Sequence, residues 1–382
     1  MKKLLTVLLS IMCLFTLVGC SGGNEAAPAG GDAVKIGCSG PLTGGAAQYG
    51  LAVKAGAEIA VEEINAKDGL KLELNFLDDE ADGEKAANAY AQLQDWGMQV
   101  SMLTVTTGSA LAVNEMTNDE GIFAMTPSGS AADIIADKEY IYRMCFADPE
   151  QGTAAADMIA DKGLGTKAAI FTLTDDEYST GVADAFKAEA AKKGIEVVYD
   201  YKFTSDNATD FPVKEAQDKG AEVCFLPLYY ENDTKIIMAC QAIGYKPVFF
   251  GVDGFDGALA QDGVDPAIFE DVYYLTPFAY SANDDATKAF TEKYVAKTGS
   301  NPNQFAADGY DVVYAIYNAM VEKNVTADMS AQDIGNALKD AFQGGYSYSG
   351  LTGLNMTWDN DGAVLKTPLA FQIKAGELVA VD

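Results

Sequence analysis

Hydroxyl groups, acids and tyrosines stand directly after apolar, β-branched runs along this 382-residue chain. Ser39-Gly40-Pro41-Leu42-Thr43-Gly44-Gly45, ending in Gln48-Tyr49, follows Val34 to Cys38. Thr106, Thr107, Gly108 and Ser109 follow Val100 to Val105, and Thr126-Pro127-Ser128-Gly129-Ser130 follows Ile122 to Met125. Later in the chain the same places hold Asp175, Asp176 and Tyr178, then Leu228, Tyr229 and Tyr230, then Asp253-Gly254-Phe255-Asp256. Hydroxyls combined with free backbone N–H groups at helix starts suit a carboxylate, and an Asp facing them suits an ammonium. Together they describe a site for a zwitterion, most simply a free α-amino acid. Singly, each residue has a plainer role, because Ser, Thr and Asp after a strand usually cap helices and Tyr packs at edges. The inference rests on the set.

What the chain lacks narrows the chemistry. It contains no histidine, which removes Ser-His-Asp and Cys-His nucleophile activation and every His-based metal site. An enzyme would have to use carboxylates alone, with Asp175, Asp176 and Asp253 as acid and base, and the paired arrangement of a glycosidase is not visible. The Gly40 to Gly45 loop has neither the GK[ST] ending of a P-loop nor GxGxxG spacing, so no nucleotide cofactor is expected. Asp78, Glu80, Asp82 and Gly83 start like a calcium loop, but the third position is Glu and the closing Glu falls on Ala89, so a surface turn is expected and no metal. Asp359-Asn360-Asp361-Gly362 likewise reads as a tight turn. A formal charge of −30 argues against nucleic acid and against an anionic membrane surface. Cys38, Cys145, Cys224 and Cys240 form no close pair and read as small core residues, with a disulfide left open.

The elements that must position these residues alternate. Strands at Val34 to Cys38, Leu72 to Leu77, Val100 to Val105 and Ile122 to Met125 are separated by helices at Gln48 to Ala66, Glu84 to Trp96 and Ala110 to Glu120. The pattern restarts with a strand at Ala168 to Leu173 and a helix ending at Gly194, then strands at Ile195 to Tyr201, Val223 to Leu226, Val248 to Gly251 and Val272 to Leu275. Helices at Asp284 to Lys297, Phe305 to Val321 and Ala331 to Phe342 precede two last strands near Leu354 to Trp358 and Pro368 to Ile373. Repeated βα units imply parallel sheets covered by helices, and two series imply an α/β protein of two doubly wound lobes. Ligands in such sheets bind beyond the carboxyl ends of the strands, where the residues above stand. At the N-terminus, Lys2, Lys3, the apolar run from Leu4 to Val18 and Gly19 before Cys20 form a lipoprotein signal. Cys20 is the expected acyl acceptor, and Ser21 to Ala33 a flexible tether. The expected site of action is the outer side of the bacterial cytoplasmic membrane, with the lipid as the only membrane contact.

The stretches VKIGCSGPLTGGAAQYG (34–50), NDEGIFAMTPSGS (118–130), TDDEYSTG (174–181), GYKPVFFGVDGFD (244–256) and TWDNDG (357–362), taken in order, resemble the leucine/isoleucine/valine-binding proteins, type I solute-binding proteins of ABC transporters. The resemblance implies a type I periplasmic-binding-protein fold, two Rossmann-like lobes joined by three crossovers near Ala147 to Glu150, Thr276 to Ala279 and Trp358 to Gly362. It divides the chain into a signal (1–19), lipidated Cys and tether (20–33), an N-terminal lobe (34–148 with 278–359) and a C-terminal lobe (149–277 with 360–382). It places carboxylate binding on Thr107 and Ser130, the ammonium-facing carbonyl on Ser128 and the ammonium's acid on Asp253, with Tyr49, Tyr178 and Tyr229 closing the pocket. That acid is Glu in the best-known branched-chain binder, and two cysteines that pair there are Ala81 and Thr106 here. The expectation is a monomeric, non-enzymatic substrate-binding lipoprotein that delivers a free amino acid, branched-chain or similarly apolar, to ABC permease subunits. Alternatives are the same fold holding an amide or aromatic acid, a carboxylate-based secreted enzyme, and a purely structural lipoprotein.

Overall fold

The computed structural model describes residues 32–261, 263–366 and 368–381; the signal, Cys20 and the tether up to residue 31 lie outside them. The first series forms β1 (Val34–Gly40), α1 (Ala47–Asn65), β2 (Leu72–Asp78), α2 (Gly83–Trp96), β3 (Val100–Thr104), α3 (Thr107–Asp119), β4 (Ala124–Thr126) and β5 (Ile141–Arg143). These strands pair in parallel in the order β2-β1-β3-β4-β5. β3 is buried along its whole length, as a strand covered by helices on both faces must be. Val53, Ala57, Ala60 and Ile64 recur at helical spacing and have no exposed surface, which seats α1 on the sheet.

The second series forms α4 (Asp148–Asp161), β6 (Lys167–Leu173), α5 (Glu177–Lys193), β7 (Glu196–Phe203), α6 (Val213–Asp218), β8 (Val223–Leu226), α7 (Tyr230–Ala242), β9 (Val248–Gly251) and β10 (Tyr273–Thr276). The chain then returns to the first sheet with α8 (Asp285–Thr298), α9 (Gln304–Glu322) and α10 (Ala331–Gln343), of which α9 lies along α1 and α10 touches β3. A small hairpin, β11 (Ser347–Tyr348) with β12 (Met356–Thr357), precedes β13 (Leu369–Lys374) and β14 (Glu377–Ala380). The second sheet runs β14-β13-β10-β9-β8-β6-β7. Three connections pass between the two groups: 144–147, 277–284 and the stretch that leaves the turn formed by residues 357–365, which pairs Trp358 with Val364 and accepts the Arg143 N–H at Gly362. The last carries Lys366, whose buried ammonium lies 3.4 Å from Asp308 of α9.

The two-lobe α/β architecture agrees with the sequence pattern, and several details do not. The second sheet is not wholly parallel, because β13 and β14 add antiparallel at its edge. Their turn places Ala375 and Gly376 at φ 52° and 79°, the geometry that matches hairpin twist. The strand expected over Leu354 to Trp358 is only two residues long and pairs with β11 rather than joining either large sheet. β5, α4, α6, α7 and β14 go beyond the sequence pattern, and α3 begins three residues earlier than expected, at Thr107.

One close contact positions the site. A Cβ on Gly56 of α1 would stand 1.9 Å from the Ala306 carbonyl oxygen, and one on Gly309 of α9 would stand 2.4 Å from the Val53 carbonyl oxygen. Two glycines thus let the backbones of α1 and α9 touch. Among the described residues no helix is long and apolar enough to cross a membrane, and no cluster of His, Cys, Asp and Glu could hold a metal ion.

Candidate functional site

The seven pocket residues expected from sequence, Tyr49, Thr107, Ser128, Ser130, Tyr178, Tyr229 and Asp253, line a single cavity together with Val105, Thr106, Gly254 and Phe305. Its walls have closed on one another and leave about 10 Å³ of free space, room for about one water and far below the roughly 300–1,000 Å³ of drug-sized sites. On the side of the first sheet, β3 ends and α3 starts at Thr107 with no side chain capping its first turn, so the opening N–H groups of the helix are unclaimed by it. The Ser130 N–H donates to Thr107 Oγ1 at 3.3 Å, and the Ser128 hydroxyl donates to the Val105 carbonyl at 2.6 Å. Arg143 holds this loop by donating to the carbonyls of Ser130 and Ala131, each at 3.0 Å. The Thr106 hydroxyl is buried without a partner among the described residues.

The opposite side is built from side chains. The Tyr178 hydroxyl donates to Asp253 Oδ1 at 2.7 Å and accepts the Gly254 N–H at 2.9 Å. Asp253 donates its own N–H to Gln151 Oε1 at 3.0 Å, and its carbonyl accepts from Gln304 Nε2 at 2.8 Å. Burial pushes its carboxyl up to about 6, partly offset by hydrogen bonds from Tyr178 and Gln151; no cation contributes. An acid so placed is an unfilled partner for a positive charge. Gly254 has no room for a side chain, since a Cβ would fall 2.6 Å from the Tyr178 hydroxyl.

Aromatic rings complete the walls. Tyr178 stacks on Tyr229 at 5.2 Å, Tyr229 meets Tyr49 edge-on at 5.3 Å, and Phe305 lies 4.3 Å from Tyr49. Such pairs contribute about 0.5–1.5 kcal/mol each beyond burial. Tyr49 crosses between the groups: its hydroxyl donates to the Gly254 carbonyl and accepts the Tyr230 N–H at 3.1 Å. With the hydroxyls of Tyr49 and Tyr178 occupied by protein, the rings offer apolar surface.

Other residues singled out in sequence serve elsewhere. Asp176 caps α5 through the Ser179 N–H at 2.7 Å, and Asp175 accepts the Ser205 N–H. Ser39 donates to Asp79, and Thr43 to Asp78, in the turns beside β2. Asp256 does not cap the short turn that follows it; its Oδ2 accepts the Gln304 N–H at 2.8 Å from the start of α9. Phe305, Gln304 and Gln151 escape sequence reading because each resembles an ordinary helix residue. The four cysteines are buried and free, and burial raises the thiols of Cys38, Cys145 and Cys224. A larger groove of about 570 Å³ is lined by residues that include Gln48, Asp256 and Asn303.

Comparison with known proteins adds independent information. A family model described as Periplasmic binding protein matches residues 33–377. Leu/Ile/Val-binding protein homolog 3 of Brucella melitensis is 29% identical over 316 residues, 80% of this chain and 83% of the relative. The branched-chain amino acid transporter substrate-binding protein LivJ of Streptococcus pneumoniae, solved with isoleucine, gives a TM-score of 0.78 at 24% identity, covering 91% of this chain and 100% of that one. A solute-binding protein of an ABC transporter from R. palustris, solved with benzoate, gives 0.79 at 21% identity over 91% and 95% of the two chains. At such identities the structural likenesses establish the fold alone.

Proposed function

Since the chain belongs to the periplasmic binding protein family, we propose that it captures a free α-amino acid with a branched or similarly apolar side chain between its lobes. Its class is the extracytoplasmic substrate-binding protein of an ABC importer, not an enzyme. The observation that carries the ligand assignment is the cavity itself, which sets unclaimed N–H groups and hydroxyls at the start of α3 against a buried carboxyl without a cation. In this reading Thr107 and Ser130 hold the ligand's carboxylate, the Ser128 carbonyl and Asp253 hold its ammonium, and Tyr49, Tyr178, Tyr229 and Phe305 surround its side chain. The lobes divide near residues 148, 277 and 359, and they open without ligand and close upon it.

Calorimetric titration with leucine, isoleucine, valine, alanine, benzoate and a short aliphatic amide tests the assignment. Binding of an aliphatic amino acid, with benzoate and the amide inert, is expected. Benzoate or the amide binding in preference would replace the ammonium–Asp253 pairing with another ligand class.

The reading places the protein as a monomer on the outer side of the cytoplasmic membrane, at the cell surface or in the periplasm, held by acyl chains on Cys20 and delivering its ligand to permease subunits. Cys20→Ser is expected to abolish partition into a detergent phase; unchanged partition would remove the anchor.

A further inference from the structure

We propose that Asp256 is a closure latch, a residue that strengthens ligand binding without touching the ligand. Asp256 follows β9 and belongs to the second sheet's side, where Tyr274 and Thr276 of β10 stand 3.4 Å from its carboxylate oxygens. Its third and shortest hydrogen bond, 2.8 Å, comes from the Gln304 N–H, and α9 belongs to the other lobe because it packs along α1. Gln304 is the first residue of α9. The helix's own N-cap, Asn303, accepts the Ala306 N–H at 3.1 Å, so an earlier N–H of the same turn is left for Asp256. Burial pushes the Asp256 carboxyl up to about 7, while the Gln304 N–H and the Thr276 and Tyr274 hydroxyls favour its ionised form, which also meets the positive pole of the helix.

The Gln304 side chain doubles the crossing by donating to the Asp253 carbonyl at 2.8 Å. The two contacts form a clasp between the cavity and the adjacent groove, whose wall includes Asp256 and Asn303. Asp256 itself lies outside the set that lines the cavity. Both contacts join residues of different lobes, so separating the lobes breaks them. They stabilise the closed conformer only, and they lower the rate at which it opens.

This inference rests on the reading of the cavity as a ligand site between closing lobes, and its test separates the two. Gln304→Ala removes the side-chain contact and keeps the N–H. Gln304→Pro removes the N–H as well, with proline well tolerated at the first position of a helix. Ligand dissociation is followed by stopped flow for both variants, in the parent and in the Asp256→Ala background. The expected result is about tenfold faster dissociation for Asp256→Ala. A further several-fold difference between Pro and Ala at 304 is expected in the parent and none in the Asp256→Ala background. Asp256→Asn, which keeps an acceptor oxygen, recovers part of the loss. The melting temperature of the ligand-free protein stays within about 2 °C of the parent in Asp256→Ala, since the open form already exposes that carboxylate. Unchanged dissociation rates, or a drop in ligand-free melting temperature with no change in dissociation, overturn the latch. If no small molecule binds the parent, the cavity reading falls first. Spin labels on the two lobes of the ligand-free protein then decide the latch alone: the minor short-distance, closed population of the parent must shrink in Asp256→Ala, and an unchanged closed population refutes it.

Discussion

The two faces of the cavity are made by different means. The face on the first sheet offers backbone and hydroxyl groups whose places follow from where β3 and β4 stop, and Arg143 pins that loop through two carbonyls. The face on the second sheet depends on side chains that fix Asp253, with Tyr178 on its carboxylate and Gln151 on its N–H, and Gln304 reaching its carbonyl from α9 of the other lobe. The hydroxyls and N–H groups of the first face carry no charge, and the acid that stands beside Ser130, Asp148, is raised well above its usual value by burial. The second has an acid displaced upward by burial. Mutation and pH should therefore act unequally on the two.

The sharpest way to break this contrast is Asp253→Asn, which removes the charge while keeping the shape. Leaving the ligand's ammonium without a counter-charge in a closed site costs about 2 to 5 kcal/mol, so calorimetry is expected to show affinity falling by about 30-fold or more. Parent-like binding would mean that the ligand carries no ammonium or that Asp253 does not meet it.

Acidity gives the next largest effect. The carboxyl of Asp253 sits near 6 in the ligand-free protein, and an ammonium ligand binds its ionised form. Affinity is therefore full above that value and is lost as pH falls through it, by about tenfold at pH 5. The same titration with Asp253→Asn should be flat between pH 7 and 5; a parent-like slope in the variant would transfer the effect to a neighbouring buried acid that burial also raises, Asp148, or Asp256 and Asp308, both pushed up to about 7.

On the other face the change should be smaller. Thr107→Val deletes a hydroxyl but leaves the N–H groups of the α3 first turn, and one neutral hydrogen bond contributes about 1 kcal/mol. About fivefold weaker binding, with no change in its pH profile, is expected from the same calorimetric series. A loss as large as that of Asp253→Asn would show that the hydroxyl, not the backbone, dominates that side.

Much of this was readable in the sequence because strand ends are local signals. Thr107, Ser128, Ser130, Tyr178, Tyr229 and Asp253 each follow an apolar run closely, and the fold gathers strand ends. Phe305 is different. It lies in the first turn of a helix whose apolar residues read as core, and its contact with Tyr49 depends on the α1–α9 pairing across more than 250 residues of chain. The Asp256 contact was misplaced for the same reason: a strand-end acid reads as a cap for the helix that follows, and its actual partner begins 48 residues later. α4 is faint in the sequence because it opens with Asp-Pro, contains Gly152, and buries small residues such as Ala155 and Ala156. β5 is only three residues long and ends in Arg143, a residue strands seldom bury.

The glycine pair at 56 and 309 sets a limit on how this protein can change its taste. Tyr49 and Phe305 form one wall of the cavity, and the distance between the helices that carry them is fixed by main chain against main chain, not by side chains that could be trimmed. Shortening either ring would enlarge the cavity locally, yet the wall could not step back as a unit. A methyl group added at either glycine, wholly outside the cavity, would instead push both helices apart and move the rings with them. Selection for a bulkier ligand would thus find its routes on the facing lobe, at Tyr178 and Tyr229, while the α1–α9 side remains the invariant half of the gauge.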